Sequence, residues 1–466
     1  MLAPVREAAV AMKRGLPRIS ALSLSLATAL AMLGGCKSSP TGDDNNPGTG
    51  GASATGVGGS GNVTPGTGGS TPTPGTGGAT GMGGAATVGV GGRSGTGGAG
   101  LGGATGTGGA DALPTRTAII SAMRLANDYF MAKWPDPSVP ITTNPVRASH
   151  IWTRGVYYEG LMALNSVDPL ARYTDYAVSW ATSHAWGLNG GTTTVSADDQ
   201  CAGQTYLDLY KIDPQAIRMR DIKTNIDLAL TVAVPSAWTW IDAIQMAMPV
   251  YARLGVITGS TSYFDKMYAY YSYTKNTTGG MGLYNKTEHL WWRDMDFDPP
   301  YVEPNGQDCY WSRGNGWVYA ALVRVLDILP ASDPHRAEYL ADFQAMSEAL
   351  RLVQRTDGFW NVSLHDPTHF GGMELTGTAL FTYGMAWGVR TGNLPSATYR
   401  PIVVTAWNAM VVNSLHTNGF LGWVQGTGKQ PSDSQPVTAD SVPNFEDFGL
   451  GCFLLAGSET ARLARP

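Results

Sequence analysis

Asp242 stands in the stretch WTWIDAIQMAMP, residues 238–249, a single carboxylate among tryptophans, methionines and aliphatic side chains. Burial in such company disfavours the anion and raises the carboxyl pKa. A carboxylic acid that keeps its proton near neutrality is a general acid. Two more carboxylates, Asp198 and Asp199, open another apolar stretch, DDQCAGQTYLDLY. Ordinary glycoside hydrolysis needs two carboxylates flanking the anomeric carbon, one as acid and one as base or nucleophile. Trp152, Trp240, Trp311 and Trp317 offer ring faces for stacking on sugars, and Arg313 offers a planar fork for a carboxylate. Together these residue types point to an acidic carbohydrate and a carboxylate-dependent hydrolase.

Residues so far apart along the chain need a scaffold that gathers them. Six segments share one layout, a polar or glycine-containing start followed by helical turns that are apolar on nearly every side. They begin at Trp152, Asp198, Trp238, Trp311, Glu374 and Glu446. Amphipathic stretches lie between them, such as PHRAEYLADFQAMSEALRLVQ from Pro334 and SYFDKMYAYYSYT from Ser262. Buried helix alternating with half-exposed helix about six times predicts an all-α fold, an (α/α)6 barrel with six inner and six outer helices. In such a ring the inner helices run parallel and their N-terminal ends meet at one mouth. Those ends carry Trp152, Arg154, Asp198, Asp199, Trp240, Asp242, Trp311, Arg313, Trp317, Glu374 and Asp447. Glu374 and Asp447 also suit plain helix capping. Pro249 predicts a kink in the third inner helix, or the end of its first half.

The rest of the chain sets boundaries. Residues 1–36 join a basic stretch, an apolar run too short to span a bilayer and Leu33-Gly34-Gly35-Cys36. That end resembles a bacterial lipobox, which implies lipidation of Cys36, an exported lipoprotein and membrane contact through a lipid anchor only. An ordinary signal peptide is the alternative. Residues 37–112 cycle through Gly, Thr, Ser and Pro and read as a disordered tether. Residues 113–466 form the catalytic domain. A formal charge of −5 without a basic block argues against nucleic acid as a partner. Cys201, Cys309 and Cys452 have no CxxC spacing, so a zinc site is not expected, although one disulfide is compatible with export. Asp294, Asp296 and Asp298 imitate the start of a calcium loop, but Pro299 and Asn305 occupy the positions that need Gly and Glu. Neither metal nor cofactor is expected.

The motifs WTWIDAIQMAMPVYARL, WSRGNGWVYAALVRVLDILP, DGFWNVSLHDP and ELTGTALFTYGMAWGV, with DDQCAGQTYLDLY before them, resemble glycoside hydrolase family 105, the unsaturated rhamnogalacturonyl hydrolases, related to the unsaturated glucuronyl hydrolases of family 88. The resemblance implies an (α/α)6 barrel. It also implies removal of a 4,5-unsaturated uronic acid from the non-reducing end of pectin-derived oligosaccharides by hydration of the vinyl ether. Asp242 is implied as the acid, with Asp198 as its helper and Asp199 as the fallback. Arg313, with Trp311 and Trp317, falls on positions that the resemblance implies contact the unsaturated ring and its carboxylate, and Trp240 on the stacking position beside the acid. His289 keeps a displaced His-x-Trp order, with Arg293 and Asp294 additional beside it. Two other readings stay open on the residues alone: an inverting glycosidase on saturated glycans, and a surface glycan-binding lipoprotein without catalysis.

Overall fold

A computed structural model describes residues 112–464, apart from 141–145, 147, 233–236 and 442–446. Cys36, the signal segment and nearly all of the expected tether lie outside the described residues, as does Glu446.

Thirteen α-helices and one short 3-10 turn are present among the described residues. The fourth and fifth, α4 (Ala197–Gln200) and α5 (Ala202–Ile212), meet at Cys201, whose backbone is itself helical (φ −54°, ψ −43°). Taken as one rod they leave twelve helices in alternation. The inner set is α2 (Trp152–Val167), α4/α5, α7 (Asp242–Thr258), α9 (Ser312–Leu326), α11 (Leu375–Thr391) and α13 (Asp447–Leu463). Each packs on the next, and α13 packs back on α2, which closes the ring. The outer set is α1 (Arg116–Lys133), α3 (Ala171–Ser183), α6 (Ile217–Leu230), α8 (Ser262–Asn276), α10 (Arg336–Leu352) and α12 (Ser396–Asn413), each laid on the inner helices beside it. Every residue of α9 is buried, whereas α10 buries one face, as the two sequence patterns require. The expected (α/α)6 barrel is the observed fold. Isolated bridges are the only β pairing among the described residues.

Close contact in the ring depends on small residues. A Cβ on Gly160 of α2 would fall 2.5 Å from the Gly451 carbonyl oxygen of α13, so only glycine lets these backbones touch. On the same seam Arg154, in the first turn of α2, meets Asp447, the first residue of α13, so the two helices start at the same end and run parallel. Pro249 does not end α7, which runs unbroken to Thr258. Proline removes the N–H that would satisfy the Gln245 carbonyl. Gln204 of α5 supplies the replacement, donating from Nε2 to Gln245 O at 2.7 Å. A neighbouring helix therefore repairs the defect that local sequence alone predicts.

The two ends of the barrel differ. At the foot, inner helices pass to outer ones through short turns such as 168–170, 259–261 and 392–395. At the mouth the connections are long, above all 277–311, 353–374 and 414–446. Among the described residues, the non-glycine ones with left-handed backbone are Ala185, Trp186, His289, Phe370, Trp423 and Ser434, and they lie in mouth connections. Strain of this kind persists where surrounding structure fixes a loop for a purpose. Cys201, Cys309 and Cys452 are free and buried, so no disulfide links them.

Candidate active site

Asp242 is the first residue of α7, at the mouth, with 9% of its surface exposed. Asp198 lies at the start of the neighbouring inner helix and is half-buried. Burial pushes the Asp242 carboxyl above its ordinary value, while Arg293 and then Arg313 pull it back. Burial also raises Asp198, to about 7, with the negative charge of Asp242 pushing the same way and Arg293 opposing. Two carboxyls so linked titrate as a pair. The cost of ionising them is borne by the fold. Because the folded pKa of Asp198 is raised, stability present in acid is lost as pH climbs from about 4 through about 7. Asp198→Asn is therefore expected to melt higher than the parent at pH 8 and alike at pH 4, which thermal unfolding at the two pH values checks.

Asp199 is turned elsewhere. Its carboxylate accepts from Asn189 Nδ2 (3.1 Å) and Thr194 Oγ1 (2.7 Å), tying down the connection 184–196. Of the two adjacent acids, Asp198 is thus the one electrostatically joined to Asp242.

The aromatic residues divide into two groups. Trp152 and Trp240 are only half-buried and remain available for stacking. Trp311 and Trp317 are fully buried, which departs from the open platform expected of them. Trp311 donates from Nε1 to Gln425 Oε1 at 2.9 Å, and Trp317 meets Trp152 edge to face at 6.3 Å. Arg313 is 1% exposed and departs likewise: its guanidinium lies over Trp311 and Phe448, donating to the carbonyls of Gln425 (2.7 Å) and Gly426 (2.6 Å). Gln425 and Gly426, in the connection after α12, cover this side of the mouth, a fact no spacing within the α9 motif encodes. Trp238 packs on Tyr251 and Tyr270, toward the outer helix α8.

Arg293 takes the place beside the acid. Its Nε lies 3.2 Å from Asp242 Oδ2 and its Nη1 is 2.5 Å from Asp294 Oδ2. In the sequence Arg293 stands out only as an addition after the displaced His-x-Trp order, and that departure is the available signal. His289 is half-buried, with Nδ1 3.0 Å from the Tyr284 hydroxyl and a left-handed backbone. Glu374 caps α11 by accepting from Thr376 N and Gly377 N, both at 2.8 Å. Asp447 accepts from Arg154 Nε at 3.3 Å across the seam between α2 and α13. In the acidic run, Asp294 meets Arg293, and Asp296 accepts from Lys429 Nζ at 3.0 Å.

A closed helical toroid with paired acids and open tryptophans at one mouth defines a carbohydrate-active hydrolase. The profile described as Glycosyl Hydrolase Family 88 matches residues 122–464. An "Unsaturated 3S-rhamnoglycuronyl hydrolase" of Formosa agariphila is 32% identical over 332 residues, which cover 67% of this chain and 84% of that protein. A solved structure described as glycosyl hydrolase family 88 from Bacteroides vulgatus shares 32% identity, covers 75% of this chain and 100% of its own, and superposes with a TM-score of 0.68. A family 105 glycoside hydrolase of C. acetobutylicum, 19% identical over 72% of this chain and 98% of its own with a TM-score of 0.59, shares the fold. The chain belongs to glycosyl hydrolase family 88 and is a glycosidase.

Proposed function

We propose that this glycosidase removes a 4,5-unsaturated uronic acid from the non-reducing end of an oligosaccharide in which that acid is joined to rhamnose. The observation that carries the reading is the pair Asp198 and Asp242, both raised by burial and one of them at the head of α7, at a mouth with open tryptophans. The similarity to the unsaturated 3S-rhamnoglycuronyl hydrolase of Formosa agariphila supports the rhamnose linkage. Rhamnogalacturonan fragments of pectin contain the same pairing of sugars and are the substrate source the motifs suggest.

Asp242 gives its proton to C4 of the vinyl ether, and positive charge develops at C5 and the ring oxygen. Water adds at C5 and returns a proton to the carboxylate, with Asp198 beside it to hold the water. The resulting hemiketal opens, C5 becomes a ketone, and the hemiacetal at C1 expels the remaining chain. No group of the protein attacks C1. The near-ultraviolet absorbance of the conjugated uronate is lost in the first addition. Lyase-treated rhamnogalacturonan and a lyase-treated rhamnoglycuronan are expected to lose that absorbance with the wild-type protein. Sugar release from saturated glycan without the decay would overturn the reading in favour of ordinary hydrolysis.

We also infer that Cys36 carries a lipid and that residues 37–112 hold the enzyme off a membrane, outside the cytoplasm. Support comes from the order of charge, apolar run and Leu-Gly-Gly-Cys. Expressed in a bacterium, the full chain is expected in the membrane fraction and Cys36→Ser outside it; identical partitioning of the two would end this inference.

A further inference from the structure

We propose that Arg293 is the receptor for the carboxylate of the bound uronic acid and that, in moving onto it, it leaves Asp242 free to hold the proton needed at C4. The inference rests on the proposed function and deepens it by naming how the acidic sugar is recognised.

Arg313 offers no open fork, because both its Nη atoms are committed to carbonyls of the covering connection and 1% of the residue is exposed. Arg293 keeps 20% of its side chain exposed, and its Nη2 has no hydrogen-bond partner among the described residues. Its stem is anchored where the chemistry is: the Arg293 carbonyl accepts from the amide of Ile241, the residue before Asp242, at 3.0 Å. The guanidinium can therefore change partner while the backbone stays in place.

The surrounding charges make a change of partner favourable. Asp242 is faced by Asp198 from α4, by Arg313 from α9, and by Arg293 and Asp294 from the connection 277–311. Lys429, near Arg293 and Asp294, is engaged with Asp296. An incoming uronate is a further anion among Asp198, Asp242 and Asp294, and it gains a partner only by sharing the arginine. Once Arg293 turns to the substrate, Asp242 loses its nearest positive charge and acquires a negative neighbour. Both changes favour its neutral, proton-donating form. The ion pair of the empty enzyme opposes the acid role, and the substrate's own carboxylate removes that opposition.

The test compares wild type and Arg293→Gln on an unsaturated uronyl disaccharide and on its methyl ester. Wild type is expected to prefer the acid by roughly 100-fold in kcat/KM, the scale of a desolvated charge pair. In Arg293→Gln that preference should fall to about 3-fold or less, chiefly through KM, and Arg293→Lys should regain part of it. The pH profiles add a readout that a merely structural role would not move. Loss of Arg293 raises Asp242 in the free enzyme, so the alkaline limb of kcat/KM moves to higher pH. The limb of kcat stays, because in the complex the arginine has already left. An Arg293→Gln enzyme that prefers acid over ester as strongly as wild type, or loses both equally, overturns the proposal. Calorimetric binding of D-glucuronate to wild type and Arg293→Gln keeps the question separate from catalysis: weaker binding by the variant supports the receptor role, and equal affinity overturns it. Absence of absorbance decay with wild type would instead count against the proposed reaction.

Discussion

Asp242→Asn is expected to lower kcat by about 10²–10⁴-fold while leaving the fold intact. Asparagine matches the shape of the acid and cannot donate the proton that C4 requires. The change removes a carboxyl whose ionised form burial disfavours, so the variant should melt at or above the wild-type temperature. Loss of activity with retained or raised stability separates a catalytic role from a structural one. Absorbance decay of an unsaturated uronide, read beside a thermal melt, provides both numbers. An Asp242→Asn enzyme within a few-fold of wild type would remove the acid from the mechanism and leave Asp198 as its replacement.

Asp447→Ala is expected to cost about 3–5 kcal/mol of unfolding free energy, the scale for stranding one member of a buried ion pair. Asp447 and Arg154 are each 1% exposed, and together they join the last inner helix to the first, where the ring closes. Burial pushes the Asp447 carboxyl up in spite of its partner, so the pair itself is not a large net stabiliser. What makes the single replacement severe is the uncompensated guanidinium left over the Phe130 ring, with its Nη1 already unpartnered. Replacing both residues with apolar ones, Arg154→Met with Asp447→Leu, should recover much of the loss. Denaturant unfolding of the single and double variants measures it, and a cost for Asp447→Ala below about 1 kcal/mol would contradict the argument.

Comparison of particular residues explains how far the sequence could be read. The inner helices were legible because a helix with no solvent face is apolar on nearly every side, and α9 and α11 are buried from their first residue through Leu326 and Val389. Asp242 was legible because a carboxylate is conspicuous in such a stretch. Residue type alone does not tell Asp198 from Asp199, since adjacent residues on one helical turn differ only in direction, and the direction was decided by Thr194 and Asn189 as the preceding connection folds back on Asp199. Trp311 and Arg313 read with Trp317 as a sugar platform, yet a residue more than a hundred positions later covers the first two. Pro249 read as a break, yet Gln204 supplies the missing hydrogen bond.

Periodicity, burial pattern and the chemistry of isolated acids are local properties, and through them the chain by itself determined a six-fold helical toroid and the mouth at which its candidate acid stands. Which arginine faces that acid was decided only in three dimensions. Arg293 and Arg313 carry the same charge, and nothing in their immediate sequence distinguishes the covered one from the open one. The difference arises from the long connections of the mouth: Gln425 and Gly426 close over Arg313, and 277–311 delivers Arg293 to Asp242. Electrostatic roles depend on separations of a few ångströms between residues distant in the chain, and folding alone sets those separations.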